Sequence, residues 1–261
     1  MVTNTKVSVN ILTFNRASLL KRAIDSARAQ TYESREIIVV DNGSKDNTAE
    51  VLRNMPDIKI LSNPNPLGIT FARQQALEAS AGEYIAILDD DDEWIDSKKL
   101  EKQVEFLDEN PECVLVGGGI EIYSAMQNSN QDQVKNLQSK IVKFRPTSDE
   151  AIRQAMLFRN NFFTSTVMFK RQAALEVGGF VKDEYDLAED YDLWLRLGRA
   201  GKMRNFLEPF TAYARPNYNK DRQAQFLKKQ LKLIKMNAGY FPFYFFAALI
   251  LKIRIWANGS N

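Results

Sequence analysis

The sequence predicts an α/β protein with a mostly parallel central sheet, flanked by helices and followed by a C-terminal helical extension. Over the first hundred residues, short apolar segments alternate with segments of helical periodicity, a pattern typical of parallel sheets covered by helices. The second and fourth apolar segments are almost continuously apolar, which indicates strands with both faces buried. A basic amphipathic segment and an apolar segment follow near the end of the chain.

The first part of the chain contains four predicted strands separated by three predicted helices. The strands are short and rich in Ile and Val, and they cover residues 6–14, 36–41, 58–62 and 83–89. The helices have apolar residues at helical spacing, and they cover residues 17–30, 46–54 and 68–80.

The second part is less regular. Its predicted elements are a strand at 111–123, a polar loop at 124–140, a helix near 148–159, a strand at 164–169 and a helix at 188–200. No Pro- or Gly-rich linker and no internal repeat interrupts the chain. We therefore expect one domain over residues 1–215 and a helical extension over residues 216–261.

The composition excludes several kinds of site. The 261 residues include no histidine, which removes histidine as a general base, metal ligand or triad member. The single cysteine, Cys113, cannot form an internal disulfide or a cysteine-cluster zinc site, and its apolar surroundings indicate ordinary strand packing. Acid–base or metal chemistry must therefore use carboxylates. The opening MVTNTKVSVN has no long apolar region, so we expect no secretory signal and a cytoplasmic location.

The net charge of +2 conceals an asymmetry between the two ends of the chain. From Arg196 onward there are 13 Lys and Arg against 2 acidic residues, a net +11, whereas residues 1–195 carry 22 against 31, a net −9. Solvated helix faces would explain the basic end. A surface that meets anionic lipid or an anionic substrate would explain it equally well.

Two acidic clusters follow predicted strands. Asp41 ends the second strand, and four aspartates, Asp89 to Asp92, end the fourth in YIAILDDDDEW. Ligands of open parallel sheets bind outside these carboxyl ends. If the chain stays extended, Asp89 and Asp91 point one way, and Asp90 and Asp92 the other.

Like charges this close raise one another's pKa or require compensation, which a divalent cation would supply. Oxygen ligands suit Mg²⁺ or Mn²⁺, held by one or two carboxylates and the phosphates of a substrate. Capping of a helix that begins near Asp96 would explain one or two of the aspartates, but not four.

Common phosphate-binding loops are absent from the sequence. No G-x-x-x-x-G-K-[ST] is present, and TFNRAS follows the first strand where G-x-G-x-x-G or a glycine-rich nucleotidyltransferase loop would stand. P-loop ATPases and NAD-type Rossmann enzymes are therefore disfavoured. A metal bridged to a diphosphate is still compatible with the sequence.

Four segments in the same order resemble the family-2 inverting glycosyltransferases of GT-A fold over roughly residues 6 to 200. They are VSVNILTFNR, SARAQTYESREIIVVDNGSKDNT, NPLGITFARQQALEASAGEYIAILDDDDEW and VGGFVKDEYDLAEDYDLWLRL. The resemblance implies that Thr13, Phe14 and Asn15 line the nucleotide pocket. It also implies that Asp41 hydrogen-bonds the edge of the nucleobase.

The resemblance assigns roles to the next two motifs as well. Gly68 and Arg73 would approach the nucleotide, and Gln74 stands where the family often has Asn. In the aspartate run, Asp89 would lie near the ribose and Asp90 would also contact the donor nucleotide. Asp91 would hold the metal, and Asp92 would lie close to the donor sugar or the metal.

The acidic pair Glu189 and Asp190 corresponds to the family's catalytic acidic motif. By resemblance, Asp190 is the general base that deprotonates the acceptor hydroxyl, and Glu189 orients the acceptor or the base. The absence of histidine independently favours a carboxylate as base. The alternative is an acidic pair that merely stabilises a helix N-terminus. The family also implies inversion at the anomeric carbon by a single in-line displacement.

The C-terminal extension contains a basic amphipathic helix with Leu227, Leu231 and Ile234 on one face. The uncharged run that follows, residues 238–251, has 14 residues and contains Pro242, so it is too short to span a bilayer comfortably. It would lie in the membrane interface, or it would dock onto the catalytic domain or a second subunit. No Q-x-x-R-W motif follows the acidic pair, which disfavours a processive cellulose- or chitin-type synthase.

The leading hypothesis is a metal-dependent glycosyltransferase with a catalytic domain over residues 1–215 and Mn²⁺ or Mg²⁺ as cofactor. It would move a sugar from a nucleoside diphosphate, by family frequency UDP, to a polysaccharide or lipid-linked oligosaccharide acceptor. We expect no nucleic-acid partner. Peripheral contact with the inner face of the cytoplasmic membrane and a homo-oligomer are both compatible with the extension. The alternatives are a non-catalytic nucleotide-sugar or membrane binding module and, less favoured, a nucleotide-sugar pyrophosphorylase.

Overall fold

The computed structural model describes residues 7–123, 140–181, 187–213 and 220–259, without the side chains of 220–222 and 258–259. The strands in these ranges are β1 (Val7–Thr13), β2 (Arg35–Asp41), β3 (Lys59–Ser62), β4 (Tyr84–Asp89), β5 (Glu93–Trp94), β6 (Cys113–Tyr123), β7 (Lys140–Lys143), β8 (Met168–Lys170) and β9 (Lys202–Tyr213). The helices are α1 (Ala17–Arg28), α2 (Thr48–Arg53), α3 (Ile69–Ala79), α4 (Lys99–Glu109), α5 (Asp149–Ala155), α6 (Arg171–Glu176), α7 (Glu189–Ala200), α8 (Lys220–Met236) and α9 (Tyr244–Gly259). A 3₁₀ turn covers Thr164–Thr166.

The strands form one mixed sheet in the order β3-β2-β1-β4-β8-β6-β9-β5, with β7 added to β6. Its first four strands are parallel, and their register places Thr13 opposite Asp41, and Leu12 opposite Asp89. β8 pairs antiparallel with both β4 and β6, whereas β6 and β9 are parallel. The carboxyl ends of β1, β2 and β4 therefore meet at one edge, as expected for strands joined by helical crossovers.

Side chains of β4 alternate between two buried clusters on opposite faces of the sheet. Ile85 and Ile87 belong to a cluster that includes residues of α5, α6 and α7, whereas Tyr84, Ala86 and Leu88 belong to one that includes residues of α1 and α4. Every residue from Tyr84 to Leu88 is buried. The continuous apolar sequence of this strand follows from burial on both faces, as predicted.

The C-terminal helices pack against the rest of the described chain through one face. Ile234 of α8 and Leu251 of α9 are buried in the same cluster as Trp194 of α7. The guanidinium of Arg199 donates a 2.9 Å hydrogen bond from Nε to Oδ1 of Asn237, which ties α7 to the end of α8. The inner face of the two C-terminal helices is therefore packed against the rest of the chain, which agrees with the docking alternative for this face. No helix in the described ranges combines the length and the apolar character that a membrane span requires.

The first four strands and three helices lie within two residues of their predicted positions, and Cys113 is buried in β6 as predicted. Later predictions need correction. The helix near 148–159 ends at Ala155, and the strand at 164–169 divides into the 3₁₀ turn and the short β8. The elements β5, β7, β9 and α6 were not predicted, and α4 appeared only as a helix beginning near Asp96. The predicted loop at 124–140 falls outside the described residues except for Lys140, which begins β7.

Candidate active site

The ends of β1 and β2 are joined by hydrogen bonds between the loops that follow them. The amide of Asn15 donates to Oγ of Ser44 at 2.9 Å, and Oδ1 of Asn15 accepts from the amide of Lys45 at 2.7 Å. Asn15 has a φ of 53°, a left-handed conformation that Asn tolerates better than most residues. The side chain of Asn15 therefore holds the two loops together, which fixes one wall of the sheet edge.

The other predicted nucleotide contacts lie around this wall. Asp41 is buried, and its Oδ1 accepts from the amide of Ser44 at 2.9 Å. Thr13 is buried beside it in the sheet register, whereas Phe14 is 44% exposed and its ring is accessible to a planar ligand. Gly68 precedes α3 with φ 86°, a conformation that favours glycine. Thr13, Phe14, Asn15 and Asp41 are thus gathered at one edge.

The four aspartates do not continue β4 as an extended strand. The chain turns after Asp89, and the amide of Asp92 donates to the carbonyl of Asp89 at 3.1 Å. Asp89 and Asp91 are nevertheless about one-third exposed, whereas Asp90 and Asp92 are buried. Asp89 and Asp91 therefore share one environment and Asp90 and Asp92 the other, as expected, but a turn and not an extended strand produces this grouping.

Arginine and serine side chains already contact all four aspartates. The Arg16 guanidinium lies 2.9 Å from both Oδ1 of Asp90 and Oδ2 of Asp91. Arg73 donates to Oδ1 of Asp89 at 3.0 Å, and Arg22 donates to the carbonyl oxygen of Asp91 at 2.9 Å. Burial raises the pKa of Asp90 to about 6 despite the opposing effect of Arg16, and burial also raises the pKa of Asp91. Arginine side chains of the protein therefore already compensate part of the negative charge of the aspartates.

Ser165 of the 3₁₀ turn forms hydrogen bonds with the turn at Asp89 to Asp92, called the aspartate turn below. Its Oγ donates to Oδ2 of Asp92 at 2.5 Å and accepts from the amide of Asp89 at 3.0 Å. Its carbonyl oxygen accepts from Nε1 of Trp94 at 2.6 Å. Asp92 is therefore buried and bonded to Ser165, and its position beside the donor sugar or the metal stays a prediction.

A metal site with a single protein carboxylate fits these residues better than a cluster. Within the described ranges, no three acidic or cysteine side chains are arranged to hold a metal ion. Mg²⁺ and Mn²⁺ do not require such a cluster, because one or two carboxylates and substrate phosphates commonly hold them. Asp91 has the right oxygen chemistry and the exposure for this role, and Arg16 is its competitor.

Arg73 connects the aspartate turn to the acidic pair of α7. Its side chain is 5% exposed, its Nε donates to Oε1 of Glu189 at 3.0 Å, and its NH2 group reaches Asp89. Burial lowers the pKa of Arg73, but Asp89 and Glu189 raise it more, so the guanidinium stays charged. Burial raises the pKa of Glu189 against the opposing effect of Arg73. One buried cation therefore fixes the spacing between the two acidic clusters.

Asp190 is the second residue of α7 and is half-buried. Its Oδ2 accepts hydrogen bonds from Oγ1 of Thr164 at 2.7 Å and from Nδ2 of Asn160 at 3.1 Å. Its Oδ1 accepts from the amide of Tyr191 at 2.6 Å. Burial raises the pKa of Asp190, and the Thr164 bond opposes this shift. A carboxylate has about four acceptor positions, so about one is left for a substrate hydroxyl.

Sequence reasoning missed several residues around the site, namely Arg16, Asn160, Thr164 and Ser165. A signal for Arg16 existed, because the residues after β1 must neighbour those after β4 in a parallel pair. The other three lie between α5 and β8, in a segment whose sequence has no motif. Gln74 has a structural role here: its Oε1 accepts from the amide of Phe180 at 2.8 Å and its Nε2 donates to Glu78.

Comparisons with known proteins support the fold and the family. Residues 8–177 match the model of the family "Glycosyl transferase family 2". An uncharacterized glycosyltransferase of Haemophilus influenzae is 30% identical over 222 residues, which are 79% of this chain and 64% of that protein. The Escherichia coli UDP-Glc:alpha-D-GlcNAc-diphosphoundecaprenol beta-1,3-glucosyltransferase WfaP is 29% identical over 204 residues, covering 76% of this chain and 73% of the relative.

Among solved structures, the mannosyltransferase PcManGT from Pyrobaculum calidifontis, in complex with GDP-Man and Mn²⁺, superposes with a TM-score of 0.67. Its sequence is 22% identical, and the alignment covers 97% of this chain and 70% of that one. The predicted GT-A-type fold is thereby confirmed. Taken with the match over residues 8–177, these findings show that the chain belongs to glycosyl transferase family 2.

Proposed function

We propose that this protein is a metal-dependent glycosyltransferase that moves a sugar from a nucleoside diphosphate, with UDP first in order, to a hydroxyl of a polysaccharide or lipid-linked oligosaccharide. The observation that carries this proposal is the Arg73 bridge. One buried guanidinium contacts Asp89 at the sheet edge and Glu189 beside Asp190. A donor at the first and an acceptor at the second would therefore be held at a fixed separation.

The donor nucleotide would bind where β1, β2 and β4 end. Asp41 reads the edge of the base, while Thr13, Phe14 and Asn15 line the pocket. Gly68, Arg73, Asp89 and Asp90 complete the donor contacts. The relative WfaP is named for UDP-Glc, and the PcManGT structure contains GDP-Man, which supports a nucleotide-sugar donor.

Asp91 would hold Mn²⁺ or Mg²⁺ together with the donor diphosphate, whereas Asp92 supports the turn through Ser165. A bound divalent ion neutralises the negative charge that grows on the leaving diphosphate. Arg16, which contacts Asp90 and Asp91, must then exchange part of its contact for the ligand. The Mn²⁺ in the PcManGT complex supports this cofactor class.

Asp190 would accept the proton of the acceptor hydroxyl as that oxygen attacks the anomeric carbon. Its remaining acceptor position and partial exposure suit the role, and Thr164 and Asn160 hold the carboxylate in place. Oε1 of Glu189 accepts a hydrogen bond from Arg73, so Glu189 would orient the base rather than replace it. Attack opposite the departing diphosphate is a single displacement, which inverts the anomeric centre.

The central experiment is radiolabelled sugar transfer from UDP-glucose with Mn²⁺ to a GlcNAc-diphospho-alkyl acceptor, the acceptor class in the name of WfaP. UDP-GlcNAc, UDP-galactose and GDP-mannose serve as further donors. Transfer or slow donor hydrolysis that releases the nucleoside diphosphate supports the proposal. Tight nucleotide binding without either reaction would favour the non-catalytic binding module, and release of pyrophosphate would favour the pyrophosphorylase.

We also propose that the outer face of α9 contacts an anionic membrane. This C-terminal apolar face consists of exposed side chains, namely Phe245, Phe246, Leu249, Ile250, Ile253 and Trp256. After Asp221 the sequence contains no acidic residue and 7 Lys and Arg, so the charge around the face complements anionic lipid. The enzyme would then work at the inner face of the cytoplasmic membrane, near a lipid-linked acceptor.

The test of this contact is cosedimentation with phosphatidylglycerol vesicles and with neutral phosphatidylcholine vesicles. We expect the wild type to bind only the anionic vesicles and Phe245→Ser/Leu249→Ser to lose binding. Val181→Ser serves as a control, because Val181 is an exposed apolar residue outside α9. A dimer in sedimentation velocity that the double substitution dissociates, with no vesicle binding, would assign the face to a second copy instead.

A further inference from the structure

Two arginines beside the acidic pair of α7 lack a carboxylate partner within the described ranges. They are Arg145, after β7, and Arg159, after α5. Arg145 is half-buried, and its Nε is fully buried without a hydrogen-bond partner. Arg159 is exposed, and its Nε donates only to Oδ1 of Asn161, at 3.3 Å. Each guanidinium therefore has most of its donors available.

Other arginines near the site are neutralised by carboxylates. Arg73 contacts Asp89 and Glu189, while Arg16 contacts Asp90 and Asp91. Burial of a cation without a counter-charge is costly, and a second cation nearby adds to the cost. Burial and the charge of Arg159 both lower the pKa of Arg145. Among the residues that the structure describes, no carboxylate compensates the positive charge of this pair, so an anionic ligand would neutralise it.

A single amide holds the two arginine segments together. Nδ2 of Asn205, on β9, donates to the carbonyl of Pro146 at 2.8 Å and to the carbonyl of Asn161 at 3.0 Å. Asn205 is completely buried, so this link is shielded from water. The guanidinium of Arg145 also lies over the ring of Phe163, 4.6 Å from its centroid. Arg145 is therefore placed by the fold and is not a freely moving surface side chain.

Both arginines are connected to the residues that hold Asp190. Arg159 directly precedes Asn160, whose Nδ2 donates to Asp190. Phe163, under Arg145, directly precedes Thr164, whose hydroxyl also donates to Asp190. An acceptor whose hydroxyl meets Asp190 would extend along these segments. They are distinct from β1, β2, α3 and the end of β4, which carry the proposed nucleobase and ribose contacts.

We propose that Arg145 and Arg159 form a subsite for a phosphate or diphosphate group of the acceptor. The inference rests on the proposed function and deepens it by naming the chemistry of the acceptor. Two guanidiniums present parallel N–H donors that match phosphate oxygens in bidentate geometry. Their combined charge also matches a phosphate group of about −2 more closely than a single carboxylate.

The test is isothermal titration of inorganic pyrophosphate, premixed with equimolar Mn²⁺ so that it does not remove the bound metal, into protein saturated with Mn²⁺ and UDP, so that the donor site is filled. We expect the wild type to bind pyrophosphate and Arg145→Gln/Arg159→Gln to bind about tenfold or more weakly. The single variant Arg159→Gln, at an exposed position, should show part of the loss even if the double variant folds poorly. Arg53→Gln, an exposed arginine at the end of α2, is the matched control and should bind as the wild type.

Equal binding by the wild type and the arginine variants, or no binding by the UDP-loaded wild type, would overturn the subsite. Titration with glucuronate distinguishes a carboxylate ligand from a phosphate ligand. If the protein binds glucuronate but not pyrophosphate, the phosphate subsite is contradicted. If UDP itself fails to bind, the donor assignment fails instead. The difference between wild type and arginine variants, measured with pyrophosphate alone, then still decides whether the subsite exists.

Discussion

The aspartates after β4 and the acidic pair of α7 compensate their charges in different ways. Asp90 and Asp91 face Arg16, whose side chain is 49% exposed. Glu189 faces Arg73, whose side chain is 5% exposed. An exposed guanidinium can move aside at little cost, whereas a buried one cannot leave without stranding its partners. The first cluster is therefore suited to exchanging its cation for a ligand, and the second to holding a base in position.

The largest expected effect comes from removing the base while its neighbours stay in place. Asp190→Asn should lower kcat for transfer about 10²- to 10⁴-fold, because the amide cannot accept the acceptor proton, while UDP affinity stays unchanged. Steady-state kinetics and UDP titration measure the two quantities separately. Asp25→Asn, at an exposed site on α1, is the control. Substantial transfer by Asp190→Asn would place the base elsewhere.

Breaking the buried bridge should affect stability most. Arg73→Met leaves Glu189 and Asp89 without their cation and should lower the free energy of unfolding by about 3–5 kcal/mol. Arg28→Met removes a partly exposed arginine paired with Asp57 and should cost about 0–1 kcal/mol. Urea denaturation compares the two variants. Similar small losses of unfolding free energy in both variants would mean that Arg73 does not compensate the charges of Glu189 and Asp89.

The hydrogen bond from Thr164 to Asp190 should appear in the pH dependence. Burial raises the pKa of Asp190 and the Thr164 hydroxyl opposes it, so Thr164→Val should raise this pKa further. A base acts only when ionised, so activity is lost as the pH falls through its pKa. The acid limb of the kcat/KM profile should therefore move to higher pH in Thr164→Val. Thr164→Ser should restore the limb, and an unmoved profile in Thr164→Val would contradict the role of this bond.

The smallest expected effect concerns the exchange of Arg16 for a metal ion at Asp91. Arg16→Gln removes the cation that competes at Asp91, so Mn²⁺ should bind up to about fivefold more tightly, corresponding to about 1 kcal/mol for an exposed pair. Electron paramagnetic resonance of free Mn²⁺ measures this affinity without nucleotide or turnover. Lys21→Gln is the control, because Lys21 is an exposed cation on α1, the helix that directly follows Arg16. Weaker Mn²⁺ binding by Arg16→Gln would show that Arg16 positions Asp91 instead of competing for it.

The parallel half of the sheet could be predicted because its signals are local. The strands β1 to β4 are short apolar runs separated by three segments of helical periodicity, so their type and position follow from neighbouring residues. The carboxyl ends of parallel strands must share an edge, which placed Asp41 and Asp89 together in advance. The family motifs then added Arg73, Glu189 and Asp190 as candidates.

The other half depends on contacts between distant residues. β9 mixes charged residues with Pro209, and its pairing with β6 is interrupted by irregular register near Gly117 and Gly119, so no regular alternation marks it as a strand. Thr164 and Ser165 have no motif of their own. They matter because the fold brings their turn against Asp190 and Asp92, 26 and 73 residues away in sequence.

The most direct test is the melting temperature of the wild type, Asp91→Asn and Asp190→Asn with UDP, dTDP, GDP or CMP, each with and without Mn²⁺. A ligand that binds the native state raises the melting temperature. We expect one diphosphate to stabilise the wild type and Asp190→Asn equally and only with Mn²⁺, and to lose this effect in Asp91→Asn. No shift in the wild type with any diphosphate, or an equal Mn²⁺-dependent shift in Asp91→Asn, would contradict a donor site at this sheet edge with Asp91 as its metal ligand.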